Sequence, residues 1–466
     1  MTRQDAIDRA SAYYDDGSFV QDLARKVAYR TASEADDSVG ELRAFLEKEA
    51  AAELEALGFR CALFDNPVPA CGPYLIAERE EGAALPTVLL YGHGDVIQGQ
   101  DASWKPGLSP WQLVVDGDRI YGRGTADNKG QLTVNVGALR AAIAARGGAL
   151  GFNIRCIIET AEERGSPGLN AFCQAHAQEL KADLFIASDG PRLNARTPTL
   201  FLGSRGIQNF ELSLDLREGA HHSGNWGGLL RNPGTVLAAA IHSLVDARGA
   251  IQTPLLRPGH VPASVRDSVR ALPVGGNAGD PVVDEDWGEP GLNAAERVFA
   301  WNTLEVLGLE CGNVRKPIGA IAPTAKAVLQ LRYVVGTDLE DIEARLQRHF
   351  IDAGLPWVQV KAPTGMAATR LDPDHAAVAQ AAKSIQATTG MAPAILPNLG
   401  GTIPNDAFSE VLGLPTLWVP HSYPACSQHA PNEHLLGSVA RQGLQIMAGL
   451  FWDLGEPDSG FFPAAD

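Results

Sequence analysis

The feature that most restricts the fold is a set of short, nearly continuous apolar runs. Thr87-Val-Leu-Leu-Tyr91, Phe152 to Ile158, Leu184 to Ala187 and Thr416 to Val419 show almost no polar alternation. Strands buried on both faces of a sheet read this way. Between the first two runs lies Leu132 to Ala145, an Ala-rich helical stretch. Strand, helix and strand in that order predict a parallel sheet with helices packed against it. A further helix is predicted from Gly40 to Leu57, where Leu42, Phe45, Leu46, Leu54 and Leu57 fall mostly on one face and Gly58 suits the position after the helix.

The pattern changes after Gly206. Phe210, Leu212, Leu214 and Leu216 alternate with Glu211, Ser213, Asp215 and Arg217, as in an antiparallel sheet with one wet face. A helix from Pro233 to Asp246, a strand from Val328 to Val335, a helix from Leu339 to Ala353 with Thr337 as N-cap, and a strand from Trp357 to Lys361 complete an α+β unit. Helices over Asp374 to Thr388 and Leu435 to Leu454 then resume the first pattern. The fold class is therefore α/β: an αβα domain with a mostly parallel sheet (1–205 and 364–466), interrupted by an inserted α+β domain with an antiparallel sheet (206–363). The Pro/Gly-rich stretch 250–315 is too long for a simple loop and receives no assignment.

The chain has 466 residues and a net charge of −17. Such an acid excess repels phosphate backbones and speaks against general nucleic-acid binding. No run reaches the roughly 18 apolar residues that a membrane-spanning helix needs. The six cysteines form no CxxC pair and suit a reducing compartment. A cytoplasmic protein is expected.

Chemistry-bearing residues cluster where the buried strands end. His93 and Asp95 follow the first run, and Asp127 precedes the helix. Glu162 and Glu163 follow the second run, Asp189 the third, and His429 comes after the last. Open α/β sheets bind ligands at the carboxyl ends of their strands. Each residue alone is an ordinary turn, cap or surface residue; their common placement at one sheet edge is not ordinary. Asp127, Glu162, Glu163 and Asp189 in one crevice would repel one another. No Lys or Arg cluster in these motifs offsets them, whereas two divalent cations would. Imidazole and carboxylate ligands suit zinc, and one carboxylate can bridge two ions about 3.5–4 Å apart.

The stretches YGHGDV, DGDRIYGRGTADNKG, ETAEERGSPGL, SDG, HHSGNWGG, LQLRYVV, GGTIP and HAPNEH together resemble the di-zinc metallopeptidases and deacylases, a family that includes carnosinase-like dipeptidases, aminoacylases, acetylornithine deacetylase and succinyl-diaminopimelate desuccinylase. The resemblance covers roughly 85–445. It implies that the αβα domain is catalytic and the insert a lid and dimerisation domain. It implies His93 and Asp189 as ligands of one zinc, Glu163 and His429 as ligands of the other, and Asp127 as the bridging carboxylate, with a cis Asp127–Asn128 bond. Asp95 would orient a ligand His, and Glu162 would be the general base. His222 of the HSG motif would stabilise the oxyanion from the partner subunit of a homodimer, and Arg332 with the Gly400, Gly401, Thr402 loop would grip a free carboxylate.

The expected activity is metal-dependent cleavage of dipeptides, with Mn²⁺ or Co²⁺ as possible substitutes for zinc; the length and the 250–315 segment favour the dipeptidase branch. N-acyl-amino-acid deacylation is the alternative. A non-catalytic binding protein is disfavoured because every ligand position and Glu162 are present. A two-metal phosphoesterase is disfavoured by the Arg332 and HSG matches. Gln98 and Arg164 depart from the family's usual residues, and Arg164 places a charge close to the site.

Overall fold

A computed structural model describes residues 2–35, 37–276, 280–363 and 365–462. The central sheet has eight strands, in the order Arg60–Phe64, Tyr74–Arg79, Asn153–Glu159, Thr87–His93, Leu184–Ala187, Thr416–Trp418, Thr199–Phe201 and Ala394–Leu396. Its middle is parallel: Thr87–His93 lies between Asn153–Glu159 and Leu184–Ala187, and Leu184–Ala187 continues to Thr416–Trp418. These are the four continuous apolar runs of the sequence. They occupy the centre because only there do both faces find a covering layer. The pair Arg60–Phe64 and Tyr74–Arg79 extends one edge antiparallel.

Helix Lys129–Ala145 follows Asp127 and is buried around nearly its whole circumference. It sits between the sheet and the helices Arg3–Asp15 and Gly437–Leu454. That burial explains its Ala-rich, weakly amphipathic sequence. The two N-terminal helices, Arg3–Asp15 and Ser18–Ala28, escape the sequence reading. In the second, Phe19, Leu23 and Val27 recur every four residues and are fully buried, a signal that was there to be found. Helical segments Val39–Phe45, Leu46–Ala50 and Ala51–Glu55 run on from one another, the middle one wound as a π turn. Gly58 follows with φ of +83°.

The second unit is a four-stranded antiparallel sheet in the order Thr303–Glu310, Thr324–Tyr333, Gly206–Asp215 and Gln359–Lys361. Phe210, Leu212, Leu214, Leu329 and Leu331 point into a core shared with Leu237 and Leu244 of helix Pro233–Leu244 and with Leu346 and Phe350 of helix Ile342–Asp352. The alternation read from the sequence is thus the buried face of this sheet. Thr337 is not the N-cap. The helix begins after Asp341, and the Thr337 hydroxyl donates to the Val334 carbonyl and accepts from Asn302.

The stretch 250–315 contains helices Ala263–Val269 and Ala294–Phe299 and the whole of the edge strand Thr303–Glu310. Val261, Val265, Val269, Ala295 and Phe299 join the core under the large sheet, with Phe185 and Trp418. The interval 206–363 therefore contributes to two cores. Thr364, where the second interval of the expected αβα domain begins, lies outside the described residues.

Gly94, in the YGHGDV turn, is required by space. A Cβ there would stand 2.2 Å from Cε1 of Phe45. Gly94→Ala is expected to lower stability by about 1–3 kcal/mol, since the ring must leave a filled core; urea denaturation of the metal-free protein measures it.

A candidate metal centre at the sheet edge

Parallel pairing sets the first residues in place. His93 ends its strand opposite Glu159, and Asp189 follows the neighbouring strand by two positions. A separate small sheet pairs His434–Leu436 with Arg119–Tyr121. This pairing carries the Asp127 loop and the His429 loop to the same place.

Asp127 lies at the centre. His93 Nε2 is 3.0 Å from its Oδ1, and His429 Nε2 is 3.0 Å from its Oδ2. Asp189 Oδ2 is 3.5 Å from His93 Nε2, and Glu163 Oε2 is 3.0 Å from His429 Nε2. Two groups result, His93 with Asp127 and Asp189, and Asp127 with Glu163 and His429. Within each, the donor atoms all lie within 4.8 Å of one another. Glu162 Oε2 approaches His93 Nε2 at 3.9 Å. The Asp127–Asn128 peptide bond is cis. Asp95 lies against the other ring nitrogen of His93, its carbonyl 3.1 Å from Nδ1. Its carboxylate accepts the backbone N–H groups of Glu162 and Glu163, both at 3.1 Å. One buried residue thereby orients a histidine through its backbone carbonyl and anchors the Glu-Glu turn through its carboxylate.

Charge is the organising problem of this site. Burial, reinforced by the charge of Asp127, pushes Glu163 up to about 8. Burial also pushes Glu162 well above the usual carboxylate range, aided by Asp189, Glu163 and Asp127 and opposed by His93. Burial works against ionisation of Asp127 too, but the bonds from His429 and His93 prevail and hold its carboxyl well below that range. Hydrogen bonds to Asp127 and Glu163 carry His429 up to about 11. Without a cation, protons must supply the compensating charge. Carboxylate oxygens and imidazole nitrogens converging in two clusters are the donor chemistry of divalent cations, and the residues fit such ions.

Several participants carry no assigned role in the sequence reading. Gln428 Nε2 donates to Asp127 Oδ2, beside His429. Glu433 is fully buried. Its Oε1 accepts three backbone N–H groups, from Gly124, Ala126 and Asp127, at 3.0–3.1 Å, and its Oε2 pairs with Arg123 at 2.8 Å. It therefore clamps the loop that presents Asp127. The only hint in the sequence is an acid close to His429. Ser427, His429 and Asn432 all have positive φ, between 57° and 65°. The loop thus carries backbone strain of the kind that accumulates at functional sites.

The expected carboxylate grip assembles in part. Arg332, half-buried, donates to the Thr402 hydroxyl at 2.6 Å. Thr402 lies on the same loop as Gly400 and Gly401. Gln98 and Arg164, the two departures from the family pattern, line one cavity of about 750 Å³ with Ser33 and Glu34. His222 is not brought to the centre within this chain. It is exposed on the ribbon that pairs His221–His222 with Ala320–Ile321, and its Nδ1 accepts from Gly224 N–H.

Residues 89–453 match the model of peptidase family M20/M25/M40, and the chain belongs to that family. It is a metal-dependent peptidase. Over 371 residues it is 28% identical to a cysteinylglycine-S-conjugate dipeptidase of Corynebacterium striatum, covering 76% of this chain and 77% of the relative. It is 32% identical over 257 residues to the Beta-Ala-His dipeptidase of Homo sapiens, covering 51% of this chain and 48% of that one. In fold it resembles the di-peptidase Dug1p of Saccharomyces cerevisiae, with a TM-score of 0.76 at 21% identity, over 98% of this chain and 99% of that one. Among the described residues no helix is long and apolar enough to cross a membrane.

Glu433→Gln leaves the Arg123 charge buried and uncompensated. It is expected to cost roughly 3 kcal/mol of stability and to weaken metal uptake, as read by denaturation and by metal content after dialysis. Chelation of the metal-loaded protein is expected to lower Tm. Ions that bind only the folded state stabilise it by about 4 kcal/mol at a thousandfold excess over Kd, and calorimetric scans with and without chelator measure the difference.

Proposed function

We propose that this chain is a dipeptidase that holds two divalent ions, zinc by ligand type, and hydrolyses the amide bond of dipeptides bearing a free carboxylate. The observation that carries the reading is the Asp127 carboxylate, each oxygen 3.0 Å from a different imidazole. In this reading Asp127 would be shared by the two ions, His93 and Asp189 would complete one ligand set, and Glu163 and His429 would complete the other. Bound there, the ions would offset the carboxylate charge and act as Lewis acids toward water and the scissile carbonyl.

Glu162, half-buried beside the clusters, takes a proton from the attacking water and passes it to the departing amine. Asp95 holds His93 and the Glu162–Glu163 turn in register. Arg332, with Thr402 and the Gly400–Gly401 backbone, receives the substrate's carboxylate, to which a planar guanidinium is matched. The names of the relatives favour dipeptides over acyl amino acids. Residues 1–205 and 364–466 form the catalytic unit, and 206–363 the lid that carries Arg332 and His222.

The enzyme works as a homodimer in which His222 stabilises the oxyanion in the partner's site. Two observations support this. His222 is exposed and remote in its contacts from its own metal centre. The edge strand Thr303–Glu310 leaves Val306, Leu307 and Leu309 at 44%, 58% and 62% exposure, and a bare apolar sheet edge invites pairing with another chain.

Chelator-stripped protein reloaded with Zn²⁺, Mn²⁺ or Co²⁺ is expected to cleave Cys-Gly and β-Ala-His faster than N-acetyl amino acids. Activity confined to the acyl substrates would make it a deacylase. Glu162→Gln is expected to keep its metal and lose kcat by about 10²–10⁴-fold. Mixed His222→Ala and Glu162→Gln subunits are expected to regain activity; heterodimers without activity would refute the shared site.

A further inference from the structure

We propose that Arg205 is a second cationic recognition residue of the carboxylate seat, so that two guanidiniums rather than one receive the charged end of the substrate. The inference rests on the dipeptidase reading and adds a specificity residue to it.

Arg205 is 9% exposed and lies at the base of the antiparallel sheet, one residue before the strand Gly206–Asp215. Its backbone holds the Gly400 loop from two sides. Its N–H donates to the Leu399 carbonyl at 3.0 Å, and its own carbonyl accepts the Thr402 hydroxyl at 2.9 Å. That same hydroxyl accepts from Arg332. The Arg205 side chain then turns onto the loop. Nε donates to the Gly400 carbonyl at 2.9 Å, and Nη1 reaches the Thr303 hydroxyl at 3.4 Å. Thr303 is the register partner of Arg332 on the adjacent strand, so both guanidiniums sit at one end of the sheet and around one loop.

Among the described residues no carboxylate lies within ion-pair distance of either arginine; the buried Lys129 and Arg192 share this, whereas the buried Lys26 and Arg123 each have a carboxylate partner. Glu305 is the nearest acid acting on Arg205, and it is exposed. Among the described residues neither Nη2 has a hydrogen-bond partner. Arg205 is buried, Arg332 beside it is half-buried, and their like charges repel, which is costly in the free protein. A carboxylate between them removes the cost, and Nη2 of each supplies the donor.

The test is binding without turnover. Zinc-loaded Glu162→Gln protein is titrated calorimetrically with Cys-Gly and with its C-terminal amide, alone and combined with Arg205→Met or Arg205→Lys. Arg205→Met is expected to weaken Cys-Gly by about tenfold or more, the scale of one charge-assisted hydrogen bond, and to change the amide by less than about twofold. Arg205→Lys keeps the charge, is the milder variant where Met lowers zinc content, and should fall between. Equal weakening of both ligands means that Arg205 only braces the loop and overturns the proposal, as does undiminished preference for the acid. If the parent protein itself does not prefer the acid, the grip at Arg332 falls first and this proposal with it.

Discussion

Everything at the sheet edge depends on the ionisation of buried carboxylates. Asp127, Glu162, Glu163 and Asp189 sit within a few ångströms of two imidazoles, in a crevice that is largely closed to water except on the side of His429. Such a group is stable only with compensating positive charge. The surrounding architecture can be understood as the means of holding the acids together: Asp95 fixes the Glu-Glu turn by two backbone N–H groups, and Glu433 fixes the Asp127 loop by three. The orienting groups are themselves acids satisfied by backbone donors, so they hold position without neutralising the centre.

The parallel strands serve this arrangement directly. Their carboxyl ends open together, so residues far apart in the chain arrive side by side once the register is set. The rigidity comes from the helix Lys129–Ala145, enclosed on nearly every side, which begins two residues after Asp127. The antiparallel sheet plays a different part. In the proposed reading Arg332 on that sheet, Arg205 just before its strand and His222 on a separate two-stranded ribbon address a substrate rather than the ions. Chemistry and recognition are thereby assigned to different layers of the fold, and movement of one relative to the other would change substrate grip without disturbing the metal ligands.

The residues that were legible in the sequence share a property. His93, Asp127, Glu162, Glu163, Asp189 and His429 each end or follow a buried apolar run, or sit in a glycine-rich turn, so local pattern alone placed them at one edge. Glu433, Gln428 and Arg205 were not legible as functional. Each acts on a loop far away in sequence (Glu433 on residues 124–127, Arg205 on residues 399–402), and nothing local distinguishes them from surface polar residues. The helix Arg3–Asp15 was missed because three of its five buried residues, Ala6, Ala10 and Ser11, are small or polar, which leaves little apolar periodicity. The stretch 250–315 was unplaceable because its short helices draw their stability from a core under the large sheet rather than from their own amphipathicity.

By itself the sequence determined the strand and helix periods, the glycine turns and the set of metal-suited side chains, because these rest on interactions between near neighbours in the chain. The family resemblance already named Asp127 as the bridging carboxylate, but only the tertiary structure set its two oxygens against the two imidazoles and decided which acid clamps its loop. It also decided that Arg332, which reads as a surface charge on an alternating strand, turns inward to Thr402 beside Arg205. Those outcomes depend on strand register and on loops meeting from hundreds of residues apart, and charge burial has no value until the whole chain has closed around it.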